Sequence, residues 1–149
     1  MSTFDNITLL LDESGADYEV IRHDKPIRST KDAAEYFDIT KAAPVFVLDT
    51  DIGLVSFIKS AGRGKIPFAE LQRLLNCARV ELAEPGVVRR QAGYDIGSVP
   101  LVGLPLPAVF DNALLRFEYI YGGTGDMHHT LKIAPADVQR LNRVIACLE

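Results

Sequence analysis

The sequence is poor in the residues that build metal sites and disulfide frameworks. Its 149 residues include two cysteines and three histidines, with neither a Cys-x-x-Cys nor a His-x-x-x-His spacing. Two cysteines, Cys77 and Cys147, are too few for a four-cysteine zinc site and suit a reducing compartment. We therefore predict no bound metal, no cofactor and two free thiols, with a single Cys77–Cys147 disulfide as the less favoured alternative.

The sequence also lacks the patterns of a membrane span and of a secretory signal. It has no run of about 18 apolar residues, and no basic region precedes the short apolar stretch near its start. We expect no membrane contact and a cytoplasmic location. Lys and Arg total 16 against 20 Asp and Glu, a formal net charge of −4. This balance excludes bulk attraction to nucleic acid, although a local basic patch remains compatible with a short RNA contact.

The composition that remains is that of an ordinary globular protein. Hydrophobic residues make up 48% and charged residues 24%, and the length suits one domain over 1–149. Mixed helix and strand periodicities predict an α/β or α+β sheet with helices packed on it. The predicted strands cover 18–21, 44–49, 54–59, 80–82, 116–121 and 129–133, with a turn at 122–126. Five helices are predicted. The first runs from Ser2 or Thr3 to Gly15, and the second is capped by Ser29 and has Ala33, Ala34 and Phe37 on its apolar side. The third begins at Pro67 with Phe68, Leu71, Leu74 and Leu75 inward, the fourth covers 84–90, and the last begins at Pro135 with Val138, Leu141, Val144 and Ile145 inward.

The segment 93–107 has a different texture from the rest of the chain. Six of its 15 residues are glycine or proline, and apolar residues fill much of the remainder. Glycine and proline at this density exclude a helix or a central strand. Because loops longer than about 12 residues in a compact domain are usually functional or disordered, the apolar filling favours an ordered, functional loop.

Side-chain nucleophiles have no recognisable motif here. The chain has no Gly-x-Ser-x-Gly, and the glycines around Arg63 do not form a phosphate-binding loop. The strongest signal is glycine density at 93–103 and 122–125, where backbone N–H groups can approach a ligand and stabilise an oxyanion. Ordinary turns explain the same glycines equally well. His128 and His129 are adjacent, so on a strand only one of them faces a given pocket, as a proton carrier or hydrogen-bonding group; a solvated hairpin residue is the alternative.

Several of these segments together resemble a known family. His23 with Pro26, the spacing Gly-Tyr-x-x-Gly-x-x-x-x-x-Gly over 93–103, the following Pro107-Ala-Val-Phe-Asp, the Gly-Gly-Thr-Gly at 122–125 and the Thr-Leu-Lys-Ile at 130–133 carry the resemblance. It covers nearly the whole chain and is most specific in the loop. The chain resembles the YbaK/EbsC family of aminoacyl-tRNA deacylases, which is related to the editing domain of bacterial prolyl-tRNA synthetases.

The resemblance implies a mixed, curved β-sheet with surrounding helices and a trans-editing activity on the acceptor end of mischarged aminoacyl-tRNA, with an aminoacyl-tRNA synthetase as a further candidate partner. Family members use backbone groups of the loop rather than a side-chain nucleophile, and water attacks with help from the substrate's neighbouring hydroxyl. The pocket would lie between the loop 93–103, the strand 45–48 and the turn 122–125. A small pocket with an apolar floor would favour alanine, cysteine or proline. The catalytic positions implied are Gly97, Ser98, Val99, Pro100 and Leu101. The substrate-binding positions implied are Lys41, Val45, Phe46, Tyr94, Gly103, Asp111, Gly123, Thr124, Gly125 and His129.

Some of these assignments have structural alternatives. Asp111 either holds the loop through backbone N–H groups or contacts the substrate's amino group. Ser98 and Thr124 either bind the ligand or stabilise turns.

Two departures from the family pattern weaken the catalytic assignment. Leu101 stands where the family loop has proline, and Pro44 or Ala43 stands where the family has a lysine. Lys41, Lys59 and Lys132 are candidate replacements. The alternative function is therefore a binding module of the same fold, without catalysis, for an aminoacyl-adenosine or a nucleotide-like ligand.

Overall fold

A computed structural model describes residues 3–27, 30–95 and 98–149 of the chain. In these residues helices and strands are mixed along the sequence. The α-helices are α1 (Thr3–Ser14), α2 (Thr30–Ala33), α3 (Phe68–Leu75), α4 (Pro85–Ala92) and α5 (Pro135–Arg140). The strands are β1 (Tyr18–Arg22), β2 (Val45–Thr50), β3 (Gly53–Ile58), β4 (Val80–Leu82), β5 (Ala108–Asp111), β6 (Ile120–Gly123), β7 (His129–Ile133) and β8 (Val144–Leu148). Short 3₁₀ turns lie at Ile39–Lys41, Ala61–Arg63 and Asn112–Arg116.

The strands form two sheets. The larger has the order β4-β2-β3-β5-β8, antiparallel through β4, β2 and β3 and parallel through β3, β5 and β8. The smaller is antiparallel with the order β1-β7-β6. The fold is therefore a mixed α/β architecture, as the resemblance implies.

Helices and the small sheet cover the two faces of the large sheet. On one face, α3 packs Leu71 against Phe57 and Val109. On the other, α1 and the small sheet enclose the main core, which includes Leu11, Phe110 and Leu131. A third apolar cluster gathers residues of β2, α4 and the loop after it, namely Val47, Ala83, Val88, Val99 and Leu104.

One short seam joins the two sheets. Ala42, just before β2, bridges in parallel to Tyr121 of β6, and the Ala43 N–H donates to the Tyr121 carbonyl oxygen at 2.8 Å. Apart from this seam, no strand pairing joins the two sheets in the described part of the chain. The loop after α4 returns along β6, where the Leu101 N–H donates to the Gly123 carbonyl oxygen at 2.9 Å. The seam therefore brings β2, β6 and the loop to one place.

Local signals account for several elements. The β2–β3 hairpin pairs Thr50 with Gly53 around a two-residue loop, and Gly53 has the φ of +112° that glycine tolerates. Pro85 opens α4 at a position where a missing N–H costs nothing, and Gly93 ends it with φ +82°. Among the described residues no helix has the length and hydropathy needed to cross a bilayer.

Two sequence predictions near the C-terminus are wrong. The segment 116–121 is not one strand, because a 3₁₀ turn runs through Arg116 and β6 begins only at Ile120 and continues through Gly122 and Gly123. The last helix does not reach Val144 and Ile145, which belong to β8. Val144 pairs in parallel with Ala108 of β5, and Ile145 lies at the register shift that follows. Asn142 stops the helix, since its amide Nδ2 donates to the carbonyl oxygens of Val138 at 2.9 Å and of Leu101 at 2.8 Å.

Two helices also differ from the prediction in their packing. Phe68 and Leu74 of α3, predicted to face inward, are each 39% exposed, so Leu71 is the residue that α3 buries fully. Helix α2 ends at Ala33, and Ala34 is exposed. Phe37 lies beyond it and stacks on Tyr121, with ring centroids 4.5 Å apart. The predicted caps Ser2 and Ser29 lie outside the described residues.

Candidate functional site

A cavity of about 600 Å³ lies between β2 and β6, beside the seam that joins the two sheets. This volume is within the ordinary range for a small-molecule site. Its wall combines the start of β2, the end of β6, the turn before β7 and the loop after α4. Most of its lining is apolar, and it is formed by Ile27, Ala33, Phe37, Ala42, Ala43, Pro44, Val45, Phe46, Val47, Leu82, Ala83, Pro85, Ser98, Val99, Tyr121, Gly122, Gly123, Asp126, Met127, His129 and Thr130.

The loop packs on β6 through glycine. A Cβ placed on Gly123 would lie 2.3 Å from the Val99 carbonyl oxygen, and one on Gly122 would lie 2.7 Å from the Leu101 side chain. No side chain larger than hydrogen fits at Gly123 without moving the loop backbone. These two glycines, predicted as turn residues, therefore serve close packing between a strand and a loop.

Few loop N–H groups remain for a ligand. The Ser98 N–H donates to the Asp95 carbonyl oxygen at 3.0 Å, the Leu101 N–H donates to Gly123, and Pro100 has none. Within the described residues, Val99 is the one member of 98–101 whose N–H has no acceptor. Gly97, a predicted catalytic position, lies outside the described residues.

Polar groups enter the cavity from the turn before β7 and from β7 itself. Asp126 is the one carboxylate among the described lining residues, and its Oδ1 lies 3.5 Å from Nδ1 of His129. The His129 ring stacks on Phe4 with centroids 4.2 Å apart, and its Nδ1 is buried without a hydrogen bond in the described part of the chain. Thr130 is held by His23, whose Nε2 lies 3.1 Å from the Thr130 hydroxyl oxygen.

Six of the predicted site residues line the cavity. These are Val45, Phe46, Ser98, Val99, Gly123 and His129. The others that the structure describes do not line it: Lys41, Tyr94, Pro100, Leu101, Gly103, Asp111, Thr124 and Gly125. Some of these support the wall from behind. Leu101 fills the core beneath Gly122, and the Thr124 hydroxyl donates to the His129 carbonyl oxygen at 3.0 Å.

Asp111 lies at the far end of β5, fully buried, in a closed set of hydrogen bonds. Arg63 binds it with two bonds of 2.6 and 2.7 Å, and the Ser60 and Ala113 N–H groups donate at 2.9 and 3.0 Å. Burial by itself raises the pKa of Asp111, but the bonds from Arg63, Ser60 and Ala113 outweigh it and lower the pKa. Asp111 therefore accepts backbone N–H groups, but they belong to Ser60 and Ala113 rather than to the loop after α4.

None of the three candidate replacement lysines lines the cavity. Lys59 is 5% exposed, and its Nζ donates to the Ser60 carbonyl oxygen at 3.1 Å. Lys132 lies 3.7 Å from Glu19 and over the Tyr119 ring. Pro44 and Ala43, the two candidates for the family's lysine position, do line it.

Sequence reasoning missed several lining residues. Asp126 and Met127 follow the Gly-Gly-Thr-Gly segment directly, so a search for charged residues beside the glycine turn would have found Asp126. Tyr121 and Phe37 carried no signal, because their stacking depends on the seam between the sheets. Among the described residues no group of three or more His, Cys, Asp or Glu is placed to hold a metal ion.

The arrangement of sheets and loop is shared with solved structures. The protein APE2540 superposes with a TM-score of 0.85 and 21% identity over 95% of this chain and 96% of its own. A proposed trans-editing enzyme for prolyl-tRNA synthetase gives 0.84 and 23% over 98% and 95%. A signal transduction protein from Marinobacter aquaeolei gives 0.63 and 16%, with this chain covering 30% of that longer protein. At these identities the likeness defines the fold.

The sequence itself gives the family. The profile of the aminoacyl-tRNA editing domain matches residues 24–141, most of the chain. The chain belongs to the aminoacyl-tRNA editing domain family, which confirms the resemblance drawn from the loop and its neighbouring segments.

Proposed function

We propose that this protein is a free-standing aminoacyl-tRNA deacylase of the cytoplasm that hydrolyses the ester of mischarged tRNA. The observation that carries the proposal is the apolar cavity of about 600 Å³ walled by the loop after α4, in a chain of the editing family. A cavity of this size accepts an aminoacyl group with part of its terminal nucleoside. The remaining tRNA would stay outside, consistent with a formal net charge of −4.

The mechanism we propose uses positioning and fixed dipoles. The Val99 N–H would stabilise the oxyanion as water adds to the ester carbonyl carbon. The bond from that carbon to the ribose oxygen then breaks, and the ribose oxygen takes the proton from the attacking water through the neighbouring hydroxyl. The free amino acid and tRNA leave.

A binding module is the alternative function. Pro44 or Ala43 stands at the family's lysine position in the cavity wall, and none of Lys41, Lys59 and Lys132 lines the cavity. Without that cation, the fold would hold an aminoacyl-adenosine or a nucleotide-like ligand and release it unchanged.

A deacylation assay separates the two functions. Wild-type protein is incubated with tRNAs charged with alanine, cysteine, serine and proline, beside Gly123→Ala and the control Gly86→Ala. A Cβ at Gly123 meets backbone at 2.3 Å, whereas one at Gly86 meets only the flexible end of Arg90 at 3.3 Å. We expect release from at least one tRNA, a loss of about tenfold or more in Gly123→Ala, and wild-type rates in Gly86→Ala.

Thermal unfolding of both variants checks that each is folded. No release above the buffer rate from any tRNA would reject the deacylase in favour of the binding module. Equal rates in wild type and folded Gly123→Ala would reject the role of the loop.

A further inference from the structure

Asp126 lies in the cavity wall, and in the described part of the chain only one of its two carboxylate oxygens accepts a hydrogen bond. Its Oδ1 accepts the His128 N–H at 2.7 Å and lies 3.5 Å from His129 Nδ1. Its Oδ2 accepts no hydrogen bond from the described part of the chain, and the side chain is 38% exposed. The Thr124 hydroxyl fixes the same turn, since it accepts the Asp126 N–H at 3.2 Å. A rigid turn thus presents one carboxylate oxygen at the cavity.

This carboxylate is charged at neutral pH. The His128 N–H bond lowers the pKa of Asp126 most, burial raises it by a smaller amount, and the neighbouring His129 lowers it again. The cavity therefore offers a fixed negative charge beside a wall that includes Val45, Phe46 and Val47.

A ligand that matches these features carries a cation next to an apolar group. An ammonium loses hydration on entering an apolar cavity, and a carboxylate within hydrogen-bond distance compensates for that loss. A neutral amide gains no such compensation, and an anion is repelled. Within an aminoacyl ester, the α-ammonium is the cation and it lies one carbon from the scissile carbonyl group.

We propose that Asp126 binds the free α-ammonium group of the aminoacyl ester and makes the site selective for substrates with an unmodified α-amine. The proposal rests on the proposed function for the identity of the ligand. Asp126 takes the amino-contacting role that the resemblance left open for Asp111, whose two oxygens are both occupied in the core. Asp126 is here a specificity-determining residue and carries no proton in the reaction.

The test compares two non-hydrolysable ligands that differ only at the amine. They are 3′-deoxy-3′-(L-alanylamino)adenosine and its N-acetyl derivative, and their dissociation constants are measured by calorimetry. The variant is Asp126→Asn, which keeps an acceptor for the His128 N–H. The control is Asp137→Asn, which removes one negative charge at α5, where Asp137 pairs with Arg140 and does not line the cavity.

We expect wild type to bind the free amine at least about tenfold more tightly than the N-acetyl derivative. Asp126→Asn should reduce that preference to about twofold or less by weakening the free-amine ligand alone, and Asp137→Asn should behave as wild type. An unchanged preference in Asp126→Asn, no preference in wild type, or no binding of either ligand would overturn the proposal.

Binding and turnover can fail separately. If the binding preference depends on Asp126 but no tRNA is deacylated, the inference stands and the deacylase function falls. If tRNA is deacylated and Asp126→Asn leaves both KM and kcat unchanged for alanyl-tRNA and its N-acetyl form, the function stands and the inference falls.

Discussion

Asp111 and Asp126 both have a pKa below the usual value for aspartate, yet they sit in opposite kinds of environment. Asp111 is fully buried and takes hydrogen bonds from Arg63, Ser60 and Ala113 on both of its oxygens. Asp126 is part-exposed at the cavity, with one oxygen bonded by the His128 N–H and the other open in the described part of the chain.

The difference separates a carboxylate that holds the fold from one that can bind a ligand. A lowered pKa alone does not distinguish them, because hydrogen bonds to the charged form lower it in both places. The number of unsatisfied lone pairs and the contact with a cavity do distinguish them. Four variants and one control test this contrast, and we expect successively smaller changes in the free energy of unfolding from the first variant to the last.

Arg63→Met should have the largest effect. It leaves the buried Asp111 carboxylate with backbone donors only, and losing one partner of a buried ion pair costs about 3 kcal/mol. Urea unfolding at neutral pH measures the cost. A loss below about 0.5 kcal/mol, the range of surface substitutions, would contradict the structural role of the pair.

Asp111→Asn should change how stability depends on pH. Because the pKa of Asp111 is lower in the folded than in the unfolded protein, its contribution is present above the unfolded value and is lost as pH falls through the folded value. The wild type should therefore lose its advantage over Asp111→Asn as pH falls from about 3.9, the pKa of aspartate in an unfolded chain, through the lower folded value. Unfolding free energies across that range give the measurement, and a constant difference would contradict the assignment.

Lys59→Met should leave the free energy of unfolding unchanged or raise it slightly. Burial lowers the pKa of Lys59 against the attraction of Asp111, so the charge costs free energy that a methionine of similar shape avoids. We expect a gain of about 1 kcal/mol or less at neutral pH. The pKa of Lys59 is lower in the folded than in the unfolded protein, so the wild type should regain stability as pH rises toward about 10.5. The difference in unfolding free energy between wild type and Lys59→Met should therefore narrow over that range.

Lys132→Met is the matched control for Lys59→Met, because Lys132 is a surface lysine paired with Glu19. Neither lysine lines the cavity, so deacylation should be unchanged in both variants. A selective loss of turnover in Lys59→Met would show that this buried amine does replace the family's lysine.

Asp126→Asn should have the smallest effect on stability. The side chain is 38% exposed and the amide oxygen keeps the His128 N–H bond, so the unfolding free energy should change by less than about 0.5 kcal/mol. Urea unfolding beside Arg63→Met provides the comparison. A loss as large as that of Arg63→Met would mean that Asp126 is a second structural carboxylate.

Elements with strong local signals could be predicted from the sequence. The β2–β3 hairpin, the end of α4 at Gly93 and the strand at 129–133 follow from turn residues and alternation that act over a few positions. The strand that contains Val144 and Ile145 could not be predicted from such local signals. Their spacing from Val138 and Leu141 fits a helix, but they are β-branched and belong to a strand that pairs with β5, more than 30 residues earlier in the chain.

The candidate site was predictable to the level of segments. The loop, β2 and the glycine segment do meet at one cavity, as the resemblance suggested. Which side chains face that cavity was not predictable, because it depends on the seam between the sheets and on strand register. Asp126 and Asp111 are equally polar in the sequence. Burial and hydrogen bonds from Arg63, 48 positions away, and from Ser60 and Ala113 make Asp111 unavailable.

The seam at Ala42 and Tyr121 has a mechanical consequence for the cavity. Ala42, Ala43 and Tyr121 join the sheets and also line the space between them. A change in the angle between β2 and β6 at this seam would therefore change the width of the cavity. In the proposed deacylase, that angle would contribute to selectivity for acyl size together with the side chains of the wall.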